Sequence, residues 1–220
     1  MGYLGFHRLA IINTTTDGMQ PFRCTAGEAA AADSGLLWAL LICSGEIYNY
    51  KDLIPDDTRV LRSDVEAIDV LLRDIDFSVT KQVTEAVAKL DGDFAFAYVR
   101  VDGTYVVGRD PVGVRPLFYG VSSEGVPIAF ASEAKALVGA PGIARIRVFP
   151  PGKVVIRTRP TRDTVPVELL PYTVDSEREL AAAAKIVRET LTAAVAKRLL
   201  HSDRNVRIGL LCSGDWILPL

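Results

Sequence analysis

The stretch of this chain best suited to chemistry is Cys43-Ser44-Gly45-Glu46-Ile47-Tyr48-Asn49-Tyr50, which directly follows the apolar run Leu36-Leu37-Trp38-Ala39-Leu40-Leu41-Ile42. Such a run ahead of small residues predicts a buried strand that ends in a turn. Ser44-Gly45-Glu46 would then present a hydroxyl, a backbone N–H and a carboxylate at one point. Gly45 makes that N–H approachable, because it lacks the Cβ that keeps a ligand off the backbone. Taken alone, the same residues also suit an ordinary strand-ending turn. Other reactive types are sparse. Cys24, Cys43 and Cys212 are odd in number and widely spaced, so they form neither a disulfide framework nor a metal-ligand pattern and point to a reducing compartment. His7 and His201 are the only histidines and lie far apart. No metal site is expected.

Charge and composition narrow the partners. The 220 residues are 49% hydrophobic, and 25 Lys plus Arg against 27 Asp plus Glu leave a formal net charge of −2. With neither a basic stripe nor an acidic block, nucleic acid and anionic membrane are not expected partners. No apolar run reaches the length of a membrane span and no charged-then-apolar leader opens the chain. These features predict a soluble, cytoplasmic protein of one large domain, or of one domain and part of another.

The elements that must position the Ser44-Gly45-Glu46 stretch read as follows. Residues 3–12 (YLGFHRLAII) pattern as a strand, followed by a loop holding Asp17-Gly18-Met19-Gln20-Pro21, a turn by its Asp-Gly step and its proline. Residues 27–35 are small and acidic, as in a surface loop. Ser63-Asp64-Val65-Glu66 has capping-box spacing, and Val65, Ile68, Leu71 and Leu72 then share one helical face. A second helix is predicted over 78–90 on Val79, Val83, Ala86 and Val87. Strands are predicted over 94–99 and 105–108, joined by Asp102-Gly103 as a hairpin, then over 117–121, 127–131, 143–149 and 154–158, with a brief helix over 132–137. This is an α+β pattern of antiparallel hairpins with two central helices. Composition shifts at 159–175, rich in Pro, Thr and charge, which predicts a linker. Ser176-Glu177-Arg178-Glu179 is a further capping box opening a helix to about residue 200, striped by Leu180, Ala184, Val187, Leu191, Val195 and Leu199. A strand over 206–212 leads to Ser213-Gly214, the expected start of a second, incomplete domain over 176–220.

Several of these stretches together resemble a known family. Gly5-Phe6-His7-Arg8-Leu9-Ala10-Ile11, Gly18-Met19-Gln20-Pro21, Gly45-Glu46-Ile47-Tyr48-Asn49, Leu90-Asp91-Gly92-Asp93-Phe94-Ala95-Phe96, Gly108-Arg109-Asp110-Pro111-Val112-Gly113-Val114-Arg115-Pro116-Leu117 and Ser132-Glu133-Ala134-Lys135-Ala136-Leu137 recur in the order found in glutamine-hydrolysing asparagine synthetases. The N-terminal part of those enzymes is a glutamine amidotransferase of the N-terminal-nucleophile class. The resemblance implies a four-layer αββα sandwich over 1–158, lacking its first strand. It implies that Arg8 holds the α-carboxylate of glutamine, a fork-on-carboxylate contact that lysine does not reproduce. A backbone group at Ile11 would help orient the substrate, Glu46 and Asp64 would receive its α-ammonium, and the Gly45 N–H would stabilise the oxyanion. Without the resemblance, Arg8 reads as a surface ion pair and Asp64 as a helix-start carboxylate. For the complete enzyme it implies ATP, Mg²⁺ and aspartate as further partners and a possible homodimer, with no cofactor in this chain.

Three departures from the family pattern carry their own expectations. The family's nucleophile is an N-terminal cysteine whose α-amine is the base, whereas this chain opens Met1-Gly2-Tyr3. Cys24 and Cys43, being internal, have no such amine, and the chain is expected to be truncated and inactive in glutamine hydrolysis, the alternatives being a non-catalytic glutamine-binding or regulatory remnant and another N-terminal-nucleophile amidotransferase. Ser44 stands where the family has an asparagine that donates to the oxyanion, and loss of one such donor costs roughly 10²–10³ in turnover. The ATP loop expected as Ser-Gly-Gly-Leu-Asp-Ser reads Ser213-Gly214-Asp215-Trp216-Ile217-Leu218. There Asp215 would put a side chain and a negative charge into a pyrophosphate cradle built of backbone N–H groups.

Overall fold

Strands β1 (Phe22–Thr25), β2 (Leu37–Ile47) and β3 (Gly92–Arg100) open a six-stranded antiparallel sheet in a computed structural model. The model describes residues 3–9, 13, 15–25, 37–54, 61–158, 167–168 and 180–199. Two helices lie between β2 and β3 in the chain, α1 (Ala67–Leu72) and α2 (Thr80–Val87). After β3 come β4 (Tyr105–Arg109), β5 (Phe118–Val121), β6 (Pro127–Ala131), β7 (Arg145–Val148), β8 (Lys153–Arg157) and β9 (Val167–Glu168). The large sheet has the order β1-β2-β3-β4-β8-β9, and the small one β6-β5-β7. The chain divides into two units, Met1–Ser176 and Glu177–Leu220. The described part of the second is one helix, α3 (Leu180–Leu199). No helix among the described residues is long and apolar enough to cross a membrane.

The two-residue period of a strand sorts β3 into two cores. Phe94, Phe96 and Tyr98 face α1 and α2, where they meet Val65, Ile68, Leu72, Val83 and Val87. Ala95 and Ala97 face the other way, toward Leu117, Tyr119, Phe130 and Phe149 on the small-sheet side. Large residues on one face and alanines on the other let aromatic rings descend on the alanine side, so that both layers fill without overlap. The result is a layered α+β sandwich: helices, large sheet, small sheet, with the 3₁₀ turn Ala134–Leu137 packed against β5 and β6.

Four local expectations resolve differently. β2 does not end at Ile42; it runs through Ile47 in unbroken register with β3, from Ala39↔Arg100 to Ile47↔Gly92. Residues 3–9 are not a strand, and Tyr3 and Leu9 are 92% and 85% exposed. An alternating pattern makes a strand only where a neighbour completes its ladder; residues 10–12 lie outside the described set. The capping box at Ser63 is not made. Instead Ser63 Oγ donates to Asp64 Oδ1 at 2.8 Å, Glu66 is held by Arg62, and α1 is entered through the 3₁₀ turn Asp64–Glu66. Within the segment expected as a linker, β9 pairs with β8, Val154 opposite Val167.

Charged groups inside the helix-side core are bonded. Asp69, 2% exposed, accepts from Tyr98 Oη at 2.8 Å and pairs with Arg73. Arg100 Nη2 donates to the carbonyls of Leu72, Arg73 and Ile75 where α1 ends, a favourable place for a cation. Replacing Tyr98 by Phe removes a donor from a buried carboxylate and is expected to cost about 1.5–3 kcal/mol. Urea unfolding of the two proteins measures this, with a near-zero change counting against it.

Candidate active site

The site is built on one edge of β2. In an antiparallel strand, the main-chain groups of alternate residues point to opposite neighbours. Phe94 O accepts from Asp110 N at 2.8 Å, on the β4 side. Its register partner Gly45 therefore turns its own N–H and C=O to the far edge of β2. β1 covers that edge only as far as the Phe22–Leu41 pair. Beyond it, side chains replace the missing strand. Cys43 N donates to Gln20 Oε1 at 2.6 Å, and Gln20 Nε2 donates to Cys43 O at 3.1 Å. Ile47 N donates to Asp64 Oδ2 at 2.7 Å. Between these two clamps the Gly45 amide lies on the same edge and borders a cleft.

That cleft, of about 150 Å³, is lined by Arg8, Ser44, Gly45, Glu46 and Asp64. Five of the residues singled out from sequence therefore share one cavity although they are spread over more than fifty positions of chain. Arg8 is oriented by a tight loop: Nη1 donates to Thr15 O at 2.9 Å and Nη2 to Asn13 O. Asn13 adopts φ +54°, a left-handed conformation that asparagine tolerates, while its Nδ2 donates to Arg62 O at 2.8 Å. Gly18 explains its own place in the Gly-Met-Gln-Pro stretch, since a Cβ there would collide with the Arg8 guanidinium. Asp64 is 3% exposed and bonded through both oxygens. Ile11, Ser213 and Gly214 lie outside the described residues.

Sequence reasoning assigned no role to Gln20, Arg115, Asp93 or Tyr48. Arg115 lines the same cleft, and its Nε lies 2.9 Å from Asp93 Oδ2. Asp93 in turn accepts from Tyr48 Oη at 2.5 Å. Arg115 is delivered by a loop wrapped around the buried Asp110, whose Oδ1 accepts from Val112, Gly113 and Val114 N and whose Oδ2 accepts from Arg115 N. Arg109 fastens that loop from outside through Arg115 O, Gly113 O and Phe149 O. The signal was present in the Gly108–Leu117 stretch, but no spacing rule says where a loop of that kind points.

The two described cysteines are unsuited to attack. Cys43 borders the cleft, but its side chain is packed in the core at 2% exposure, and burial followed by the nearby Asp64 charge pushes its thiol pKa well up. Burial and Asp69 do the same to Cys24. A thiol held neutral is a poor nucleophile.

A family model described as a glutamine amidotransferase domain matches residues 2–149. The chain belongs to that family. Over 96% of its length this amidotransferase domain chain is 31% identical to a probable glutamine-hydrolysing asparagine synthetase of Acanthamoeba polyphaga mimivirus, and 32% identical to the glutamine-hydrolysing asparagine synthetase of Homo sapiens. It spans 38% of the length of each of those relatives. A solved structure of glutamine phosphoribosylpyrophosphate amidotransferase from B. subtilis, in complex with ADP and GMP, superposes with a TM-score of 0.55 at 20% identity. The match covers 71% of this chain and 33% of that one, a likeness of fold.

Two outcomes follow for this amidotransferase domain. Gly45 has φ +136°, and a Cβ there would overlap the Asp93 carbonyl oxygen. Gly45→Ala is expected to lose at least about 2 kcal/mol of stability in urea unfolding; a variant as stable as the parent would mean that the strands can part without cost. Cys24 and Cys43 should resist iodoacetamide at about pH 8 in the folded protein and react once it is denatured. Mass spectrometry of the labelled peptides reads this, and rapid native labelling of either would contradict the raised pKa values.

Proposed function

We propose that this chain carries the glutamine-binding site of a glutamine-dependent amidotransferase of the asparagine synthetase kind. The observation that carries the reading is the convergence of Arg8, Glu46, Asp64 and the Gly45 amide on one cleft. The Arg8 guanidinium takes the substrate α-carboxylate as a planar fork, and the Glu46 and Asp64 carboxylates take the α-ammonium. The side-chain amide then reaches along the edge of β2, where its carbonyl oxygen meets the Gly45 N–H. When a nucleophile adds to that carbonyl, charge develops on the oxygen and the fixed amide dipole stabilises it. Ser44, with a shorter donor than asparagine, contributes less to the same task.

The reaction served is hydrolysis of glutamine to glutamate and ammonia, with ammonia passed to an ATP-dependent conversion of aspartate to asparagine. ATP would supply activation of the aspartate carboxylate. The residues expected to hold it, Ser213 and Gly214, lie outside the described part of the chain, and the residues of this cleft act on glutamine alone. Hydrolysis also requires a thiolate beside the Gly45 amide, which neither Cys24 nor Cys43, the cysteines among the described residues, provides. The 220-residue polypeptide is accordingly proposed to bind glutamine without releasing ammonia.

Calorimetric titration with L-glutamine, run beside an ammonia-release assay, tests both parts. Binding without turnover is expected, and Arg8→Lys and Glu46→Gln should each weaken binding by about tenfold or more. Unchanged affinity in both variants would remove the site assignment. Ammonia release by the parent would remove the claim that it does not hydrolyse.

A further inference from the structure

A second cleft, of about 260 Å³, opens between the two sheets and shares no lining residue with the first. Strand register shows how it is built. On β7, Arg145 stands opposite Val121 and Arg147 opposite Tyr119 of β5. Directly opposed residues project to the same face, and Tyr119 projects into the core between the sheets. Arg145 and Arg147 therefore share the face of β7 that lines the cleft, both exposed at its mouth. Across the gap, Lys153 of β8 shares the face of Val155, which also packs into that core. Sheet faces turned toward a neighbouring sheet are normally apolar; here, among the described residues, three cations and no acidic residue line the gap.

Charges on an edge strand can serve to block addition of a further strand, and β7 is an edge. That accounts for β7 but not for Lys153, because β8 lies between β4 and β9. Lys153 lies on a paired strand, and the two arginines of β7 are the cations on which the site is built. Neither arginine side chain has a hydrogen-bond or ion-pair partner among the described residues. The floor between them is apolar: the Tyr119 and Phe149 rings meet edge to face with centroids 5.9 Å apart, flanked by Pro127, Val121 and Val155.

We propose that this cleft is a binding site for a small phosphate monoester with a flat apolar body. Two guanidinium groups two residues apart on one strand, about 7 Å from Cα to Cα, suit a compact dianion that each can meet as a fork. The rings and prolines below cover one ring-sized body. The volume falls short of the roughly 300–1,000 Å³ of drug-sized pockets, which sets the size of the ligand.

Phenyl phosphate is the probe, with inorganic phosphate as the head alone, benzyl alcohol as the body alone and benzoate as a monoanionic head, each titrated calorimetrically into the full chain. Phenyl phosphate should bind at least about tenfold tighter than any of the three, and its affinity should fall as salt is raised. The double variant R145A/R147A should lose about tenfold or more, and R145K/R147K should recover only part of that, since lysine keeps the charge without the fork. Circular dichroism verifies that both variants are folded, and the L-glutamine titration of each should match the parent. The proposal is overturned if phenyl phosphate gives no heat at millimolar concentration, if inorganic phosphate or benzoate binds equally well, or if binding survives R145A/R147A. Because the arginines lie outside the glutamine cleft, failure here leaves the reading of that cleft standing, and failure there leaves this site untouched.

Discussion

Two strands of this protein approach more closely than side chains allow, and the cleft at Gly45 follows from that. A Cβ on Gly45 would overlap Asp93 O, and one on Gly92 would overlap Glu46 O. The two glycines thus bracket the Glu46–Asp93 pair, which the register sets directly opposite. Fixing that register decides which N–H groups of β2 reach the free edge, and it decides that two carboxylates stand side by side. Like charges in directly opposed positions are destabilising, so the fold must answer with a cation. It does so with Arg115, 2.9 Å from Asp93, and with the Tyr48 hydroxyl on the other oxygen.

Delivering Arg115 is the work of a polar scaffold that never touches the cleft. Asp110 gathers four successive backbone N–H groups on its two oxygens, and Arg109 ties three carbonyls around it. Hydrogen bonds to charged groups contribute about 1.5–3 kcal/mol each, and losing one member of a buried set strands the rest. Such a loop is held in one conformation. The Arg8 loop is made the same way, with two carbonyls on one guanidinium and a glycine making room for it. Both cations are therefore placed before any ligand arrives, which lowers the ordering cost of binding.

Much of this was legible in the chain, and the rest failed for identifiable reasons. Most strands of both sheets and the helix faces on Val65, Ile68, Leu72, Val83 and Val87 followed from apolar periodicity, because each is packed on one side. Ser44-Gly45-Glu46 read as a turn because small residues usually mark one; only the facing glycine on β3 keeps them in the strand, and periodicity does not see across strands. Residues 3–9 have the pattern of a strand without a partner. Arg8, Glu46 and Asp64 were named from a family resemblance, since no local spacing brings position 8 beside positions 46 and 64; the cleft now holds all three. Gln20 was invisible for a different reason. Its side chain imitates a strand, satisfying one donor and one acceptor of Cys43, and an amide that substitutes for backbone has no sequence signature.

The charges around the Gly45 cleft would discriminate among ligands. Besides the Arg115–Asp93 pair, the charged side chains along its walls are those of Arg8, Glu46 and Asp64. A fork of N–H donors matches a carboxylate, and two carboxylates match an ammonium, which has three protons to give. Under the proposed reading the cleft takes a zwitterionic α-amino acid in one orientation only, since the reverse would set like against like at both ends. A second carboxylate at the far end of the ligand would meet a main-chain N–H at Gly45 but, among the described residues, no cation of its own. An amide there gives up less hydration on entering the cleft than an ionised carboxylate does. Under that reading, preference for glutamine over glutamate follows from the absence of a charge partner at the Gly45 edge among the described residues, and glutamate is the form that this cleft would hold less well.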